Sequence, residues 1–144
     1  MMCGDKMMVF EVDEKLAGKW IAVSSARDVR VISDVGTEAK HPYGFSPAET
    51  IGSALASCIL INAQKMAPVL GIDFSSMEIK VKIYRDEGVP RITKLEYVFL
   101  VGTGADDEKL KALNERALKY STTYNTLKDS VEISGTIERS GKEM

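Results

Sequence analysis

The sequence predicts an α+β protein, and three observations carry that prediction. Strand-like runs come in groups and are interrupted by helices, in the order βββ-α-ββ-α-(α)-β, rather than alternating one for one. Ser76 to Arg85 alternates cleanly, with Met77, Ile79, Val81 and Ile83 on one face and Glu78, Lys80, Lys82 and Tyr84 on the other. That is the pattern of an antiparallel sheet with one wet face. The central helix, finally, is apolar almost all round and belongs inside the structure. A chain of 144 residues suits a single domain and is long enough to bury a sizeable core.

Taken in order, Met7 to Val12 and Lys19 to Ser24 read as short strands, rich in β-branched and aromatic residues, with Ala17 and Gly18 in the turn between them. Asp28 to Ser33 is a third strand. Asp34 to Phe45, with Gly36, Pro42 and Gly44, is a loop longer than the usual few residues. The stretch SPAETIGSALASCILINAQK, Ser46 to Lys65, is the central helix. Ser46 is its N-cap, Pro47 fits the first helical position, and Glu49 falls three residues after the serine, which makes a capping box. Pro68 and Gly71 end the helix after about Met66. Ser76 to Arg85 and Ile92 to Val101 pair through the turn at Asp86 to Pro90. Asp106 to Tyr120 is an amphipathic helix with Leu110, Leu113, Ala117 and Leu118 on its apolar stripe. Asp106, Asp107 and Glu108 are charges favoured at its N-terminus by the dipole. Ser121 to Lys128 is a short turn or helix, and Val131 to Glu138 is the last strand. One sheet face cannot cover the central helix, so a helix of another subunit is expected against it, in a homodimer.

Composition is ordinary for a globular protein: 44% hydrophobic, 28% charged, net charge -2, pI about 5.5. Lysines and arginines are scattered among acids, so neither nucleic acid nor an anionic membrane is an expected partner. The longest uncharged run, Thr50 to Gln64, would span about 22 Å as a helix, short of the ~30 Å hydrocarbon core. The N-terminal residues lack the apolar core and cleavage site of a signal peptide. Two cysteines, Cys3 and Cys58, make no disulfide framework, and no spacing calls for zinc or another cofactor. A cytoplasmic protein with reduced thiols is expected.

The residue that could carry chemistry is Cys58, in the middle of the central helix. Residue by residue it has two readings: a nucleophile, or a small buried hydrophobe that contains sulfur. Glu49 reads as the capping residue. Nine residues, at ~100° each, place it on the opposite helix face from Cys58. Ser121 reads as the N-cap of the short segment it opens. His41, beside Pro42 in the loop, reads as a surface residue, and Gly102 to Ala105 (GTGA) lacks the lysine of a phosphate loop.

SPAETIGSALASC, followed by two long strands, an amphipathic helix and KYSTTYNTLKDSVEISGTIE, resembles the superfamily of osmotically inducible protein C and organic hydroperoxide resistance proteins (OsmC/Ohr). The similarity covers nearly the whole chain. It implies an OsmC-like fold, an intertwined homodimer whose central helices pack inside wrapping sheets. It also implies a thiol peroxidase: a helix cysteine attacks an organic hydroperoxide and becomes a sulfenic acid, which a second cysteine resolves. A glutamate near the helix start and an arginine from an N-terminal turn organise the thiol. By this resemblance Cys58 is the reactive cysteine.

The chain departs from the pattern in three places. Ser121 stands where the resolving cysteine would be, and Thr122 where a proline follows it. Glu49 is one residue beyond the usual helper glutamate, whose place is Ala48. The arginine is absent from its expected turn, Asp13 to Lys19, where Lys15 and Lys19 are the cations; lysine cannot reproduce a guanidinium clamp. Burial among Ala54, Leu55 and Ile61 should raise the thiol pKa, and the dipole of its own helix is three turns away. Activation is therefore expected from a cation brought in by folding: Arg27, Arg30, Lys15 or Lys19. The sulfenic acid would be resolved by an external thiol reductant, a backbone nitrogen or Cys3. The alternative function is non-enzymatic: an OsmC-fold protein binding a small apolar ligand in the groove between subunits.

Overall fold

The computed structural model describes residues 6–34 and 43–140. The chain divides into two compact units at Pro47.

The N-terminal unit is a three-stranded antiparallel sheet of β1 (Asp13–Gly18), β2 (Ile21–Ala26) and β3 (Val29–Ser33), in that order. Both hairpin turns lack glycine at their central positions and use the left-handed region instead: Trp20 has φ 66° in the first, Arg27 and Asp28 have φ 49° and 68° in the second. Here the sequence expectations need correction. Met7 to Val12 is not a strand, although it carries the best strand composition of the region. The strand is Asp13–Gly18, whose composition is poor for one, and Gly18 pairs with Ile21 after a register shift instead of making the turn. A two-residue turn at Lys19 and Trp20 sets the register, and pairing with β2 outweighs local propensity. Asp34, buried, closes the far end. Its carboxylate accepts the backbone N–H groups of Tyr43 and Gly44, the latter at 3.0 Å. Residues 35–42 of the expected loop, His41 among them, lie outside the described residues, as does Cys3.

The second unit holds the core. Helix α1 (Pro47–Met66) begins where the Ser-Pro-Ala-Glu signal places it. Strands β4 (Ser76–Arg85) and β5 (Ile92–Gly102) form the expected hairpin. Helix α2 (Asp107–Lys119) is capped by Asp106, whose carboxylate accepts the Lys109 N–H at 2.9 Å. Helix α3 (Thr122–Leu127) and strand β6 (Glu132–Arg139) follow. β6 lies beside β5 in parallel, so this sheet is mixed and not antiparallel as expected. The two helices between β5 and β6 form a crossover long enough to permit it.

Leu55, Ile59, Ala63 and Ala67 pack with Leu95, Phe99 and Val101 of β5 and with Leu110, Leu113 and Ala117 of α2. Gly52 lets α1 approach β4 closely, since a Cβ there would stand 2.5 Å from Ile83 Cδ1. Tyr97 lies across Gly135 on β6 and donates its hydroxyl hydrogen to Asn114 Oδ1 at 2.7 Å. Among the described residues, no helix is long and apolar enough to cross a membrane.

Candidate functional site

α1 buries the stripe Gly52, Leu55, Ile59 and Ala63. Cys58 sits on the shoulder of that stripe, half-buried, as a free thiol. Asn62, one turn further, shares its side of the helix.

What faces the sulfur is the junction between α2 and α3. α2 ends at Lys119, and the Ser121 N–H turns back to the Leu118 carbonyl at 3.0 Å. Ser121 is fully buried in extended conformation, φ -82° and ψ 114°. Its hydroxyl oxygen accepts the Tyr124 N–H at 3.0 Å and so caps α3. A serine hydroxyl has one hydrogen to give. With the oxygen already serving as acceptor, that hydrogen is available to Cys58.

Burial pushes the Cys58 thiol up. It is outweighed by hydrogen bonding from the Ser121 hydroxyl, then from the backbone and side chain of Thr123 and the backbone of Thr122, so the pKa lies below the ordinary cysteine value. The sign follows because these donors stabilise the thiolate more than the neutral thiol. The expectation of a raised pKa, relieved only by a cation, is thus corrected. The groups that lower it are hydroxyls and amides of the α3 start.

Ser121 is therefore beside Cys58, while remaining the cap of α3. Glu49 is in the first turn of α1, exposed, nine residues before Cys58 and half a turn round the helix from it. The four candidate cations all belong to the N-terminal sheet. The expected arginine turn, Asp13 to Lys19, is strand β1 followed by the first turn residue, and Arg27 lies in the second hairpin turn. Thr123 and Asn62 carry no sequence signal of their own, and Thr122 is marked only as the place of a proline. Nothing local to Cys58 marks them; the one available signal was that Ser121 holds the place of a residue meant to touch Cys58. Among the described residues, no three His, Cys, Asp or Glu side chains come together to hold a metal ion.

Among curated proteins, none matches the sequence significantly. Solved structures do match in shape. An OsmC-like protein of Mycoplasma pneumoniae superposes with a TM-score of 0.81 at 18% identity, covering 92% of this chain and 96% of its own. A hypothetical protein of Aquifex aeolicus gives 0.83 at 17% identity, with 95% and 100% covered. The organic hydroperoxide resistance protein OhrB of Bacillus subtilis gives 0.66 at 17% identity, with 91% and 98% covered. At these identities the likeness is one of fold. The sequence pattern of the OsmC-like proteins matches residues 37–135, more than half of the chain and all of α1 to α3, and the protein belongs to that family.

Proposed function

We propose that the protein reduces organic hydroperoxides through Cys58, with an external thiol as resolver. One observation carries this reading: donors from Ser121, Thr122 and Thr123 hold the thiol below its ordinary pKa, and the thiolate is the nucleophile such a reaction needs. An inert core cysteine in apolar surroundings would be shifted the other way. Fold likeness to proteins described as organic hydroperoxide resistance proteins, from Bacillus subtilis and Legionella pneumophila, is consistent with it.

The Cys58 thiolate attacks the terminal oxygen of R–O–O–H; the O–O bond breaks, an S–O bond forms, and the alkoxide takes a proton to leave as R–OH. Sulfur is oxidised to the sulfenic acid. An external thiol R′–SH attacks it, releasing water and forming the mixed disulfide. A second R′–SH displaces R′–S–S–R′ and restores the thiol. Ser121 cannot form a disulfide, which is why the resolver comes from outside.

Two further elements belong to the proposal. The exposed side of α1 is uncharged over three turns, with Ile51, Ala54, Ser57 and Ile61 uncovered, and a second copy of the chain would cover it in a homodimer. The cytoplasm, whose thiol pools keep cysteines reduced, is the compartment the cycle requires.

The test is stopped-flow mixing of the reduced protein with cumene hydroperoxide, followed by mass analysis and by turnover with a dithiol. Consumption of one hydroperoxide per chain, with one oxygen gained at Cys58, is expected. No turnover and no oxygen on Cys58 overturns the reading. Full activity in Cys58→Ser does so equally.

A further inference from the structure

Asn62 stands one turn beyond Cys58, and its amide Nδ2–H donates to the Ala117 carbonyl of α2 at 3.1 Å. That carbonyl is one of the last in its helix. In a continuing helix it would receive the N–H four residues on, from Ser121, but the Ser121 N–H goes to Leu118 instead. The last carbonyls of a helix need partners from elsewhere. A second of them, that of Lys119, takes the side-chain amide of Asn125 at 3.0 Å. The end of α2 is thus held from two sides, by Asn62 from the helix that carries Cys58 and by Asn125 from the helix that faces it.

Ala117 and Ser121 are separated by a single tight turn, and both are fully buried. Fixing the Ala117 carbonyl to α1 therefore fixes where Ser121 begins relative to Cys58. We infer that Asn62 is a positioning residue: by clamping the end of α2 to α1 one turn from the sulfur, it sets the reach of the Ser121–Thr123 turn to Cys58. Asn125 holds the same turn from its outer side and contributes less, because it is exposed and its bond does not reach α1.

Hydrogen bonds to sulfur are steep in distance and angle, so a small displacement of the turn costs thiolate stability without disturbing the core. The prediction is a slower, more alkaline thiol with little change in fold. Asn62→Leu keeps the branching and heavy-atom count of the side chain and removes the donor.

The experiment measures the rate of Cys58 alkylation by iodoacetamide against pH in full-length protein carrying Cys3→Ser. Asn62→Leu should move the midpoint up and slow the reaction at pH 7 by about three-fold, the size expected for weakening one net hydrogen bond. Asn125→Ala should act in the same direction and less. Ser121→Ala should add little to Asn62→Leu, because both act through the same turn. An unmoved midpoint in Asn62→Leu overturns the inference, as does full additivity with Ser121→Ala. Should Asn62→Leu fail to fold, Asn62→Ala removes the same donor with a smaller side chain, and an unmoved midpoint there overturns the inference. The inference rests on Cys58 as the reacting sulfur, yet alkylation requires no hydroperoxide. The midpoint therefore judges the positioning role, and hydroperoxide turnover judges the proposed function separately.

Discussion

The described residues form two three-stranded sheets that solve the burial problem in opposite ways. In the second unit, β5 is covered by helices, and Leu95, Phe99 and Val101 are completely buried. In the first, no strand has a buried residue: β1 is exposed throughout, β2 is half-buried, and Leu16, Val29 and Val31 are 86%, 56% and 52% exposed. The strand count is the same and the apolar content is comparable. What differs is whether the chain supplies a cover. A sheet of three strands holds its shape only when a hydrophobic face is packed against something. The C-terminal sheet finds that cover in α1 and α2; the strands of the N-terminal sheet supply none for their own apolar residues.

The largest test of this contrast is a pair of truncations. Phe99→Ala should cost about 3–5 kcal/mol, since it removes a ring packed between Ile79 on β4 and Ile137 on β6. Val31→Ala should cost under about 1 kcal/mol in dilute, monomeric protein, where the side chain faces solvent. Urea denaturation measures both, and equal costs would erase the distinction. Glycines sharpen it next. Gly135→Val drives a side chain into the Tyr97 ring and should cost about 1–3 kcal/mol or more. Gly18→Ala places its Cβ at 3.7 Å from Ile21, an ordinary contact, and should stay within about 0.5 kcal/mol. Tyr97→Phe leaves Asn114 without its donor and should cost about 1 kcal/mol, again in the covered sheet alone.

The smallest effect is a pH dependence carried by Cys58. The folded-state pKa of Cys58 is lowered, so the folded protein binds fewer protons than the unfolded chain between the two values. Its contribution to stability is fully present above the ordinary value of 9.0 and is lost as pH falls through the folded value. Unfolding free energy should therefore rise from pH 7 to pH 9.5, after subtracting the same measurement on Cys58→Ser. Ser121→Ala should flatten that rise and, by uncapping α3, lower stability by about 1 kcal/mol at every pH.

Much of the covered unit is legible in the sequence. β4 falls on the predicted Ser76 to Arg85 because strict alternation leaves no other register, and α1 starts at Pro47 because serine, proline and glutamate fix its first turn. The uncovered unit is legible in count but not in placement. Met7 to Val12 has strand composition without a strand partner, while Asp13–Gly18 has the partner without the composition. Where packing is weak, the hairpin turn decides, and a turn that places Trp20 and not glycine in the left-handed region carries no glycine signal. The parallel pairing of β6 is likewise invisible, because strand direction depends on the crossover and not on the strand's own residues.

The site divides along the same line. Cys58 and Ser121 are each visible, one as a cysteine in an uncharged helix and the other as a cap. Their effect on each other is not. The local surroundings of Cys58 argue for a raised pKa, and the groups that reverse it lie on a segment two elements of sheet and one helix further on. Asn62 reads in sequence as one more small polar residue of α1; only its bond to Ala117 gives it a role.

The most direct measurement is the ultraviolet absorbance of the Cys58 thiolate as a function of pH in the Cys3→Ser protein, with Ser121→Ala beside it. A midpoint below the ordinary cysteine value, moved upward by Ser121→Ala, is the predicted result. A midpoint at or above that value, indifferent to the loss of the Ser121 hydroxyl, would mean that the start of α3 does not sustain the negative charge on sulfur.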